Sequence, residues 1–86
     1  MSEIQQLRKK VDSIDEEILE KLSERAIVCR KIGRVKKKNG IQIKDGSRED
    51  EIFKRVKQKA AALHLEPLQI ETIYREIVNM CSAVQE

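Results

Sequence analysis

"EIQQLRKKVDSIDEEILEKLSERAIVCRKIGRVKKKNG", Glu3 to Gly40, decides the fold. Ile4, Leu7, Val11, Ile14 and Ile18 recur at spacings of three and four, the mark of an amphipathic helix. The pattern continues through Leu22, Val28, Ile32 and Val35, with no proline to break it. Lys36, Lys37 and Lys38 precede Asn39-Gly40: cations in a last turn, then a residue free to take positive φ. The stretch therefore predicts one helix from about Glu3 to Lys38. Gly33 costs that helix roughly 1 kcal/mol relative to alanine. A close approach by another backbone or a kink would account for it.

Downstream the signals are shorter. "IQIKDG", Ile41 to Gly46, reads as a connector, and Asp45 or Ser47 is placed to cap a second helix. That helix has an apolar face of Ile52, Phe53, Val56, Ala60 and Leu63 and should end near His64. Pro67 suits the first turn of a third helix, whose buried side would be Leu68, Ile70, Ile73, Tyr74, Ile77, Val78, Cys81 and Val84. The fold class is all-α: three helices, long-short-short, in a single domain spanning 1–86.

Length then argues for a partner. A helix of about 35 residues spans ~52 Å, whereas a compact chain of this size is roughly 30 Å across. Two short helices cannot cover the long one, and a two-fold homodimer is the commonest way to cover the rest.

Composition narrows the chemistry. Charged residues make up 38% of the 86 and aromatics 2%, so the core is aliphatic. The net charge of +3 mildly favours anionic partners. Cys29 and Cys81 form no CxxC and no metal-ligand pattern, which predicts free thiols. His64 reads as solvated. No apolar run approaches the ~20 residues of a membrane span, and no signal peptide is visible, so a soluble cytoplasmic protein is expected.

Charge also sits where core should be. At 100° per residue Arg25, Cys29, Ile32 and Lys36 share one line of the first helix, and Arg25 and Lys36 are about 16 Å apart along it. Two cations on a partly covered face need anions. On the second helix Asp45, Arg48, Glu49 and Ile52 share a side. Glu49 can accept a hydrogen bond there, and Arg48 can hold a carboxylate in a fork. On the third, Cys81 and Gln85 are stacked one turn apart. The bland alternatives are salt bridges for the cations, dipole-matched acids at the second helix's start, and a terminal glutamine in water.

Taken in order, "LRKKVDSIDEEILEKLSER" (Leu7 to Arg25), "IGRVKKKNG" (Ile32 to Gly40), "DGSREDEIF" (Asp45 to Phe53) and the closing Gln85 resemble the all-helical class of chorismate mutases. The resemblance covers essentially the whole chain. It implies an intertwined homodimer with two equivalent sites. The implied reaction is the Claisen rearrangement of chorismate to prephenate, on the route to phenylalanine and tyrosine, with no cofactor and no metal. It further implies roles: Arg25, and Arg8 from the other subunit, as carboxylate-binding arginines; Lys36 and Gln85 as donors to the ether oxygen; Asp45 and Glu49 as acids near the ring hydroxyl; Arg48 as a third pocket arginine. Geometry agrees with an Arg8 supplied in trans, since it lies ~25 Å along the helix from Arg25 and ~100° around it. Cys81 occupies a position where the family often has a small polar residue, and a thiol is a poor hydrogen-bond partner there. Isochorismate-pyruvate lyase, which shares fold and charges, is the competing enzyme. A helical nucleic-acid or protein-binding module is the competing reading of another class. The absence of stacking aromatics counts against it. Arg34, Lys37 and Lys38 are read as the solvated helix end.

Overall fold

A computed structural model describes residues 2–86 of the chain. Three helices follow one another: α1 (Glu3–Lys38), α2 (Gly46–Ala62) and α3 (Pro67–Gln85). Each end is fixed by local chemistry. Ser2 caps α1, its hydroxyl accepting from the Gln5 N–H at 3.2 Å. Asp45, not Ser47, caps α2, with one carboxylate oxygen 3.0 Å from the Arg48 N–H. Glu66 caps α3 in the same way, through the Gln69 N–H at 2.9 Å, and Pro67 occupies the first turn.

The two interior helix ends use one motif with different residues. After α1, Gly40 takes φ 65° while the Ile41 N–H returns to the Lys36 carbonyl at 2.8 Å. After α2, His64 takes φ 62° while the Leu65 N–H returns to the Ala60 carbonyl at 2.9 Å. Glycine adopts this left-handed conformation freely; histidine does so against the clash of its Cβ. His64 is exposed, as the sequence led one to expect.

α3 is the central element: it packs against both α1 and α2, which do not pack on each other. It runs parallel to α1, so Cys29 faces Cys81 and Gly33 faces Gln85. Between α2 and α3 lies the apolar core: Ile52, Phe53 and Val56 against Val78, with Ile70 and Tyr74 flanking. The expected α2 face is buried except for Leu63, which stays exposed; on α3, Leu68 and Ile73 are also exposed. Glu71 of α3 bridges Lys57 at 2.7 Å and Arg75 at 2.6 Å. The hydrogen bonds from Lys57 and Arg75 hold its carboxyl below the usual carboxylate range.

The molecule is long and thin. Its extents are 56 × 24 × 15 Å and its radius of gyration is 16.2 Å, against ~12 Å for a compact chain of this length. α3 covers the second half of α1. Ile4, Leu7, Val11, Ile14 and Ile18 of the first half are all more than half exposed. Val28, Ile32 and Val35 continue the spacing but stay largely in solvent. The line that meets α3 is instead Leu22, Ala26, Cys29 and Gly33, whose last three members are small. Small side chains let two helix axes approach, and the larger ones would hold them apart. No helix among the described residues is long and apolar enough to cross a membrane.

Candidate active site

The seam between α1 and α3 brings together four of the residues singled out above. Cys29 and Cys81 form a disulfide, with their Cα atoms 5.4 Å apart. This corrects the expectation of free thiols. The two residues are 52 positions apart, and only the parallel docking of α3 makes them neighbours. Cys81 therefore has no thiol hydrogen to offer.

Two polar side chains converge on the bonded sulfurs. Arg25, one turn before Cys29, is half-buried and directs Nη1 at the Cys29 Sγ from 3.7 Å. Gln85, one turn after Cys81, donates from Nε2 to the Cys81 Sγ at 3.1 Å. Gln85 is only 7% exposed, and its Oε1 is buried with no hydrogen-bond partner. A buried, unpaired amide oxygen costs on the order of 1–3 kcal/mol.

Gly33 explains how Gln85 comes so near. A Cβ at position 33 would lie 2.7 Å from the Gln85 Cα and 2.8 Å from its carbonyl oxygen. Of the two explanations open for this glycine, close backbone approach is the one observed, and α1 runs through it as a continuous helix. α3 has no basic residue in its own last turn. α1 supplies them: Arg30, Arg34 and Lys37 line a depression with Val84, Gln85 and Glu86. Lys37, read from the sequence as solvated, reaches the Glu86 backbone oxygen at 2.9 Å while remaining exposed. Cations there complement the negative end of the α3 dipole.

Lys36 is half-buried, and its ammonium donates to the Ile43 carbonyl, pinning the α1–α2 connector. Glu49 is half-buried at the start of α2. Asp45 and Arg48 are exposed. The Asp45 carboxylate serves as a helix cap, and the Arg48 guanidinium pairs with Glu51 one turn on. Within one chain these two behave as the bland reading has it. Arg8 stands exposed in the bare half of α1. The structure thus gathers Arg25, Cys81 and Gln85 at one seam, sets Lys36 further along the same helix, and leaves Arg8 far from them. A tight apolar niche beside Arg25 is walled by Leu22, Ala26, Cys29, Ile77, Met80 and Cys81. Beyond it an open groove of about 600 Å³ runs along Ile14, Ile18, Leu22, Ile73, Tyr74 and Ile77. Among the described residues no cluster of three or more His, Cys, Asp or Glu is arranged to hold a metal ion.

Over residues 7–86 the chain matches the family model described as chorismate mutase type II. The chain belongs to the chorismate mutase type II family. Among its relatives is a bifunctional chorismate mutase/prephenate dehydratase of Aquifex aeolicus, 37% identical, aligned over 100% of this chain and 25% of that protein. A protein named 3-dehydroquinate dehydratase from Pyrobaculum aerophilum is 33% identical over 92% of this chain and 23% of its own length. A chorismate mutase of Methanocaldococcus jannaschii is 33% identical over 67% of this chain and 59% of its own length. The chain thus spans about a quarter of the first two relatives and under two thirds of the third. Its fold is similar to that of a conserved hypothetical protein from Pyrococcus furiosus. The TM-score is 0.80 at 28% identity, covering 100% of this chain and 99% of that one. Membership in the chorismate mutase family agrees with the resemblance read from the four sequence stretches.

The sequence reading did not foresee the disulfide or the Lys37 contact. Cys29 and Cys81 fall on the core-facing lines of their helices, which was the available signal. Nothing local says that the two lines meet.

Proposed function

We propose that this protein catalyses the rearrangement of chorismate to prephenate, in a site shared between two copies of the chain. The observation that carries the reading is the convergence of Arg25 and Gln85 at the α1–α3 seam, in a chain that belongs to the chorismate mutase family over residues 7–86.

The reaction is unimolecular, so the protein's work is to orient and to stabilise charge. Chorismate is a flexible dianion. Arg25, Arg48 and the partner's Arg8 hold its carboxylates through charge-assisted forks and select the compact reactive shape. Lys36 and Gln85 donate to the ether oxygen. As the C–O bond breaks, negative charge grows there, so these donors stabilise the transition state more than the ground state. Glu49 and Asp45 receive the ring hydroxyl. In this arrangement Arg48 leaves Glu51 and Lys36 leaves the Ile43 carbonyl for the substrate.

The exposed aliphatic stripe from Ile4 to Ile18 supports the second copy, which would cover it and bring an Arg8 to each Arg25. Incubating the purified protein with chorismate and following the loss of its absorbance tests the function. Appearance of prephenate is the expected product. Pyruvate formed from isochorismate, with no turnover of chorismate, would replace the reading with a lyase of the same fold. Turnover of neither would end it.

A further inference from the structure

We propose that the Cys29–Cys81 disulfide and Gly33 are positioning elements for the reaction, clamping the last turn of α3 to α1 so that Gln85 is aimed into the site. The inference rests on the functional reading above. The clamp has two fixed points on α3, at residues 81 and 85, one helical turn apart. At the first, a covalent bond joins α3 to the buried Cys29 of α1. At the second, Gly33 admits the Gln85 backbone to a distance that no other residue allows. Two points a turn apart set both the height and the rotation of that turn.

The sulfur does more than tie. The Gln85 amide carries two N–H donors. One meets the Cys81 Sγ at 3.1 Å. This holds the amide nitrogen against the disulfide and leaves its second N–H free for the substrate. A free thiol at the same place could rotate, and could itself donate. On the far side of the bond the Cys29 Sγ touches the Arg25 guanidinium. One disulfide thus abuts a carboxylate-binding arginine and an ether-oxygen donor. Reduction by a dithiol delivers two electrons and two protons. The Sγ–Sγ bond breaks, two thiols form, and the reagent closes to its own disulfide. The site then loses the covalent point of the clamp.

The test compares oxidised protein, dithiothreitol-reduced protein and the Cys29→Ser/Cys81→Ser double variant, with circular dichroism confirming the folded state. Placement errors on the ångström scale cost up to about a hundredfold in rate. Reduction should lower kcat at least about tenfold, with KM changing less than about threefold, because Gln85 acts on the transition state. The same reduction in a Gln85→Ala background should change kcat less than about twofold, since the donor that the clamp aims is gone and Arg25, still beside the sulfur, acts on binding. Gly33→Ala, with the disulfide intact, should reproduce the kcat loss and gives the answer if the reduced protein unfolds. A kcat indifferent to reduction and to Gly33→Ala overturns the proposal. So does an equal loss with and without Gln85, which is the signature of general loosening. Oxidised wild-type protein is the reference throughout. If it leaves chorismate untouched the functional reading fails, whereas an active but redox-indifferent enzyme removes only the clamp.

Discussion

The two halves of α1 lie on one helical line and meet different fates. From Ile4 to Ile18 the line is large and aliphatic, and it faces water. From Leu22 to Lys36 it carries Arg25, Cys29 and Gly33, and α3 covers it. A helix of 36 residues is about 54 Å long, while the 19 residues of α3 reach about 28 Å, so one partner cannot serve both halves. The half with small residues and cations receives a helix from its own chain. The half with large aliphatic residues is left for something else. Side-chain size separates the two: alanine, cysteine and glycine admit a close parallel helix, whereas isoleucine and leucine make the broad apolar strip that buries well across a two-fold axis.

Breaking the covered half should have the largest effect. Reducing the disulfide frees a loop whose ends are 52 residues apart. Chain-entropy reasoning puts the loss at about 4 kcal/mol. Urea unfolding with and without dithiothreitol, at one protein concentration, measures it as a lower midpoint.

The bare half is attacked by Val11→Asp. Two carboxylates would then enter the proposed two-fold seam. The cost should be roughly 3 kcal/mol of association, more than a hundredfold in dimer dissociation constant. Sedimentation should show monomer appearing while α2 and α3 keep their helicity. Lys36→Ala belongs to the covered half and should spare the fold. It removes the proposed ether-oxygen donor, worth about 3 kcal/mol by analogy with oxyanion holes. Steady-state kinetics should therefore show kcat lower by about two orders of magnitude.

The smallest effect sharpens the comparison by leaving both halves alone. His64→Gly relieves the left-handed residue after α2 and should raise stability by about 1 kcal/mol. Gly40 already fills the equivalent place after α1. An unchanged or lower thermal midpoint for His64→Gly would show that the cost at this site is met elsewhere.

Much of this was legible in the sequence, for physical reasons that differ by residue. The bounds of α1 follow from three–four spacing, a lysine run and Asn39-Gly40, all local signals. Pro67 and Asp45 are local too. Gly33 signalled a close contact or a kink, without saying which or with what partner. The disulfide was not legible, because pairing Cys29 with Cys81 depends on α3 lying parallel to α1 and between it and α2. No periodicity carries that order. The spacing did not say which face of α1 meets α3, for the same reason. Val28, Ile32 and Val35 follow the spacing, but the small residues decide where a helix can dock. α2 ends near His64 as its apolar spacing implies, but histidine gives no warning of the left-handed turn found there.

The central claim is a site completed by two chains, and mixing two single variants tests it most directly. Arg8→Ala and Arg25→Ala should each be nearly inactive alone. After subunit exchange at equal concentration, half the dimers are mixed, and each mixed dimer has one site with both arginines. Activity should recover to about a quarter of the wild-type value. Exchange demonstrated by mass-tagged subunits without any recovery would place Arg8 and Arg25 in the same chain's site, or in none, and would contradict the account.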